Sequence, residues 1–179
     1  MSGKANTVFS YLEQFSEQFR QVGEESFKRL YPSAFLLTLG MAGDLAESHG
    51  SGTSIINVND GVLERGRIAG RVFPLVKGRY SPKGPITIGR TADNDVVIPE
   101  YSVSRKHCFV SSVDSEYRIT DWGSANGTLI NEVDIGKMTP WRLVGGEIIT
   151  LGRLMMLFLP PRHFVEHVRG VAPPPDFER

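Results

Sequence analysis

The sequence has a single cysteine, Cys108, in 179 residues, so it cannot close an internal disulfide or build a cysteine-based zinc cage from its own side chains. It has no excess of charge: 20 lysines and arginines face 20 aspartates and glutamates. A balanced chain lacks the bulk attraction to nucleic acid or anionic membrane that strong basicity supplies, so any recognition of an anion must be built locally. Long hydrophobic runs are lacking too. Ala34 to Leu37 and Leu154 to Pro161 are the longest, far below the roughly 20 apolar residues that span a bilayer. No secretory signal pattern opens the sequence,. These absences predict a soluble, cytoplasmic protein with no nucleic-acid partner and no membrane insertion. What is present suffices for a core, since 40% of residues are hydrophobic and only 22% charged, too apolar a mixture for a disordered chain.

Two periodicities divide the sequence. Val8, Tyr11, Leu12, Phe15, Phe19 and Val22 recur at steps of three and four among Glu13, Gln14, Glu17, Gln18 and Arg20, which predicts an amphipathic helix. Asn6 or Ser10 can cap it, Ser10 with Glu13 as a capping-box pair. Gly23 is a break before a second piece around Phe27 to Tyr31, and Pro32 ends it. The glycine, serine, aspartate and asparagine of Ala42 to Gly61 read as linker. From Arg71 the period falls to two. Strands are predicted at Arg71 to Val76, Ile86 to Gly89, Val96 to Ile98, His107 to Val113, Tyr117 to Thr120, Thr128 to Ile130, Ile148 to Leu151 and Leu154 to Leu159. Turn sequences separate them at the spacing of an all-β sandwich, and no helical pattern intervenes to suggest an α/β nucleotide fold. A short helix at His163 to Val168 precedes a proline-rich end.

Three clusters lie at strand ends or in the loops: Gly89-Arg90, Ser104-Arg105-Lys106-His107 and Asn126-Gly127-Thr128. Taken singly, each is most simply a solvated charge or a turn residue. Ser104 and His107 lack an oriented acidic partner and an oxyanion loop, which argues against nucleophilic catalysis. His163 and His167 have the i,i+4 spacing of a helical metal pair, but the sequence is not HExxH and no third ligand accompanies it. Lys77, Arg79 and Lys83 with Tyr80 make only a modest basic patch, too little for nucleic acid.

Together, in this order, the clusters resemble the forkhead-associated (FHA) family of phosphothreonine-binding β-sandwiches. The text that carries the resemblance is ITIGRTADNDVVIP, YSVSRKH, ITDWGSANGTLIN and a closing GGEIITLG, within about Arg71 to Leu159. The resemblance implies that Arg90, Ser104 and Arg105 ligate phosphate and that Asn126 holds the backbone of a bound peptide. It implies supporting roles for Gly89, His107, Gly127, Thr128 and Asn131. Two departures stand out. Glu132 follows Asn131 where the family often has glycine, and Ala125 stands where many members carry a hydroxyl.

The expectation is therefore a mainly β protein, an antiparallel β-sandwich over 66–162. An N-terminal helical segment and linker over 1–65 precede it, and a tail over 163–179 follows. The expected function is non-enzymatic: recognition of a threonine-phosphorylated protein, a serine/threonine kinase or its substrate, as adaptor or regulator, with no cofactor and no metal. The alternative is an assembly protein that uses phosphate-independent contacts of the sandwich, with the helix available to a second copy. Thr7, near the start of the chain, is a further candidate as an internal ligand if phosphorylated.

Overall fold

The computed structural model describes residues 10–42 and 69–171. Thr7, Asn6 and most of the predicted linker lie outside these residues. Strand β1 (Ser10–Tyr11) leads into helix α1 (Leu12–Val22) and, after Gly23, helix α2 (Glu24–Leu30). Then come β2 (Phe35–Met41), β3 (Arg71–Pro74), β4 (Ile86–Gly89), β5 (Val96–Val97), β6 (Cys108–Val113) and β7 (Glu116–Asp121). The chain continues through β8 (Thr128–Ile130), β9 (Val133–Asp134), β10 (Trp141–Leu143), β11 (Ile148–Leu151), β12 (Leu154–Leu159) and helix α3 (Pro161–Val171).

The strands form two sheets, ordered β1-β3-β2-β12-β11-β8-β9 and β10-β7-β6-β4-β5. Pairing is antiparallel except between β4 and β5, which run parallel. The second sheet is thus mixed, a departure from a purely antiparallel sandwich. It arises because the 90–95 connection carries the chain round to pair Val96 beside Ile88. Leu36, Phe73, Ile88, Val110, Ile119, Ile149, Met156 and Phe158 fill the space between the sheets.

All eight predicted strands are present. The structure adds β2, which the helical reading of the first third passed over. Its partner is β12, from Phe35 opposite Leu159 to Met41 opposite Leu154, so a sandwich strand lies ahead of the expected boundary at residue 66. The reason is its burial on both faces. Leu36 points into the inter-sheet core, whereas Phe35 and Leu37 belong to a second core beneath the helices. A strand apolar on both sides shows no alternation.

That second core joins Leu12 and Phe15 of α1, Phe27 of α2 and Phe164, Val165 and Val168 of α3 to Phe35, Leu37, Val72 and Leu159. Phe35 and Phe164 stack with ring centroids 3.8 Å apart, and Phe15 meets Phe164 edge-on at 5.2 Å. Each fully buried side chain of this size contributes about 1.5–3 kcal/mol. The apolar face of α1 is consequently buried within its own chain and is not the free surface that pairing with a second copy would need. Its cap also differs from the Ser10–Glu13 expectation. Ser10 and Tyr11 pair with Val72 and Arg71, so the helix starts later and the Tyr11 N–H donates to Gln14 Oε1 at 3.1 Å.

Candidate functional site

The loops after β4, β5 and β7 surround an open cleft of about 880 Å³. Arg90, Ser104, Arg105 and Asn126 all line it, together with Tyr101, Lys106 and Lys137. Three segments separated in sequence thus deliver the residues singled out from it to one concavity.

Close backbone approach sets the first of these positions. A Cβ on Gly89 would lie 2.2 Å from the Arg105 carbonyl oxygen, so only glycine lets the end of β4 sit against the Arg105 loop. Asn94, buried beside it, donates from its amide to the Thr91 and Arg105 carbonyls at 2.9 and 2.7 Å. The Arg90 backbone N–H donates to the Ser104 carbonyl at 2.9 Å, and Arg90 Nε donates to the Val103 carbonyl at 3.1 Å. The guanidinium is held at its root. Its terminal nitrogens make no hydrogen bond among the described residues, and the Tyr101 ring lies 5.9 Å from its Cζ.

His107 sits behind the loops, fully buried. Its Nδ1 accepts the Ser104 N–H at 3.0 Å, which places the ring proton on Nε2, 3.0 Å from the Gly127 carbonyl. Burial holds the imidazole below the ordinary histidine range, against smaller opposing effects of the Gly127 carbonyl and the Asp121 charge,. A neutral ring therefore ties the Ser104 loop to the Gly127 loop. The Ser104 hydroxyl adds a second tie by accepting the Ala125 N–H at 2.9 Å. Asn126 is exposed and donates from its amide to the Ser102 carbonyl at 2.8 Å.

The 121–128 loop is organised by a carboxylate to which the sequence reading gave no role. Asp121 Oδ1 accepts the N–H groups of Gly123 and Ser124, both at 2.8 Å. Its Oδ2 accepts the hydroxyls of Ser124 and Thr128, both at 2.6 Å. Burial opposes its charge, yet these donors hold the carboxyl below its ordinary range,. Thr128 is thereby an internal brace, fully buried. Gly127 takes φ 81°, a conformation that suits glycine. Asn131 lies away from the cleft lining and pins the start of β11, its Oδ1 accepting the Ile148 N–H at 2.9 Å. The spacing of Asp121, Ser124 and Thr128 within ITDWGSANGT was a readable signal. Lys137 carried none, because its place depends on a bridge between the 137 segment and Asp121.

A family model described as FHA domain matches residues 86–152. This segment is an FHA domain. Among curated relatives, glycogen accumulation regulator GarA of Mycobacterium tuberculosis is 30% identical over 98 residues, 55% of this chain and 55% of that protein. The ABC transporter ATP-binding/permease protein Rv1747 of the same organism is 32% identical over 102 residues, 55% of this chain but 11% of the transporter. The chain thus spans about half the length of the one and a tenth of the other. A solved structure of Mycobacterium tuberculosis EmbR in complex with a low-affinity phosphopeptide is 23% identical, with TM-score 0.46, over 72% of this chain and 24% of that one. The matched FHA segment begins at β4 and ends at the turn before β12, so β2, β3 and the helices lie outside it. Every cleft residue named above lies inside it. Among the described residues no helix is long and apolar enough to cross a membrane.

Proposed function

We propose that this FHA domain binds a threonine-phosphorylated protein segment in its cleft, as a non-catalytic adaptor or regulator of serine/threonine-kinase signalling in the cytoplasm. The partner is a kinase or a kinase substrate. In this reading Arg90, Ser104 and Arg105 ligate the phosphate, and Asn126 holds the peptide backbone. Gly89, His107, Gly127, Thr128 and Asn131 keep the loops in place.

The observation that carries the reading is the convergence of two guanidinium groups and a backbone-anchored hydroxyl on one cleft of an otherwise neutral protein. A phosphothreonine carries about −1.5 to −2 charge at pH 7 and three acceptor oxygens. Arg90 offers a planar pair of donors, and the Arg105 guanidinium makes no hydrogen bond or ion pair among the described residues. Charge-assisted hydrogen bonds contribute about 1.5–3 kcal/mol each. Two or three of them, with backbone contacts, reach the roughly 8 kcal/mol of micromolar binding. The assembly alternative loses its principal surface with the burial of Leu12 and Phe15.

The test is a calorimetric titration with a phosphothreonine peptide, its unphosphorylated form and an aspartate mimic. Only the phosphopeptide should bind, and Arg90→Ala should abolish most of its affinity. Equal binding of phosphorylated and unphosphorylated peptides would remove this function.

A further inference from the structure

Beside the cleft lies a second groove of about 420 Å³ on the outer face of the five-stranded sheet. Its floor is aromatic. The rings of Phe109 and Trp122 meet edge-to-face with centroids 5.7 Å apart, and Trp122 is 42% exposed. Its rim carries Pro82, Lys83, Pro85 and Lys106.

The two depressions adjoin, since Lys106 and Asp93 line both. The Lys106 ammonium stands 5.4 Å from the Trp122 ring centre and 3.5 Å from Asp93 Oδ2. Both side chains of that ion pair are more than half exposed, so it is a weak, exchangeable contact that another carboxylate can replace. Lys77 differs. It is held by Asp95 Oδ2 and the Pro85 carbonyl, both at 2.7 Å, and offers no free charge. Lys83 is exposed and makes no ion pair among the described residues.

We infer that this groove is a second recognition site for the same phosphorylated partner, seating an aromatic or long aliphatic side chain flanked by an acidic residue. The inference rests on the phosphopeptide reading. The apolar side chain lies on Trp122 and Phe109, and the acid exchanges with Asp93 for Lys106 or pairs with Lys83. A chain leaving the cleft over Lys106 passes directly to the groove, which shares that side chain as lining. An extended peptide advances about 3.3 Å per residue, so the preference falls a few residues from the phosphothreonine on one flank. The partner class is thereby narrowed to phosphoproteins with an acidic, apolar stretch beside the phosphorylated threonine.

The experiment uses the full chain and three probes: a five-residue phosphothreonine peptide and two fifteen-residue phosphothreonine libraries, each randomised on one flank. Selection should enrich an apolar residue next to an acid on one flank. Peptides carrying it should bind about tenfold tighter than the short one. Trp122→Ala and Lys83→Glu should each erase most of that gain, with short-peptide affinity within twofold of the parent as the control for folding. In a Trp141→Phe background Trp122 is the sole tryptophan, and its emission should shift with the long peptide but not with the short one. If no peptide binds, the phosphopeptide reading itself has failed. If short and long peptides bind alike, or the enrichment survives Trp122→Ala, the groove is not a peptide subsite. An emission shift that follows protein concentration without peptide would assign the groove to a second copy and overturn the inference.

Discussion

The Ser104 hydroxyl accepts the backbone N–H of Ala125 at 2.9 Å, so the oxygen is fixed between two loops while its own proton stays free to point into the cleft. A donor held in this way is already oriented when an anion arrives. Ser104→Ala removes the donor and leaves the Ala125 N–H to water. Binding of a phosphothreonine peptide should weaken by about 1–2 kcal/mol, or roughly 5- to 30-fold, with an unchanged circular dichroism spectrum. Titration calorimetry of the two proteins measures it, and an unaltered affinity would show that Ser104 is only a loop tie.

The change of period made the strand ends and loops of the cleft easy to place in the sequence. Arg90, Ser104, Arg105 and Asn126 stand at such positions, but singly they read as solvated charges or turn residues, and they were singled out only through the resemblance of the combined motifs to the FHA family. Features that depend on both sides of an element being covered were not legible. Phe35 and Leu37 are buried by α1 and α3 while Leu36 is buried by the opposite sheet, so β2 shows no alternation. The short strands β9 and β10 failed for another reason. Both residues of β9 are exposed and β10 buries only Leu143, and two or three residues with at most one buried side chain carry too little pattern to be recognised. Lys77 was counted in a surface basic patch, but its charge is neutralised by Asp95, whose side chain is fully buried. No local rule in the sequence pairs residues eighteen apart across two loops.

Gly89 has no room for a side chain. With the Arg105 carbonyl oxygen 2.2 Å and the Asn94 amide nitrogen 2.7 Å from the position of a Cβ, Gly89→Ala forces its methyl group against the Arg105 backbone and the Asn94 side chain. Overpacking of this kind costs about 1–3 kcal/mol. The strain falls on the loop that carries Arg105, so stability and phosphopeptide affinity should decline together. Chemical denaturation and titration of the same preparation test the coupling. An affinity loss without destabilisation would contradict it.

Glu132 offers the opposite opportunity. Asn131 and Glu132, with φ 48° and 69°, form the two-residue connection between Ile130 and Val133, which pair across the hairpin. The left-handed region disfavours a side chain at Glu132, whereas glycine accepts it freely. Glu132→Gly should stabilise the protein by about 0.5–1 kcal/mol after the entropy of the unfolded glycine is counted. That is a rise in melting temperature of about 2 °C for a chain of this size. Peptide affinity should not change, because the hairpin lies outside the cleft lining. A lower melting temperature would mean that the Glu132 side chain makes a stabilising contact.

His107 should make stability depend on pH in a defined window. Burial lowers its folded pKa below the ordinary value of 6.5, so the unfolded chain takes up the proton first as pH falls. The stability that the neutral ring supports is complete above about pH 6.5 and is lost progressively below it, down to the folded pKa. The slope from one such group cannot exceed about 1.4 kcal/mol per pH unit. His167 is shifted the same way by burial, so the measurement needs a His167→Asn background to isolate His107. Denaturant unfolding between pH 7.5 and 5, without peptide, should then retain a positive dependence of stability on pH. Adding His107→Asn should lower stability throughout, because no amide reproduces both the Ser104 and the Gly127 contacts in this geometry, and should flatten the remaining slope in that window. The peptide-free condition matters, because a bound phosphate takes up its own proton near pH 6 and would add a dependence of the same sign. A slope that persists unchanged in the double variant would place the titrating group elsewhere and remove the neutral His107 bridge from the account of how the two loops are held.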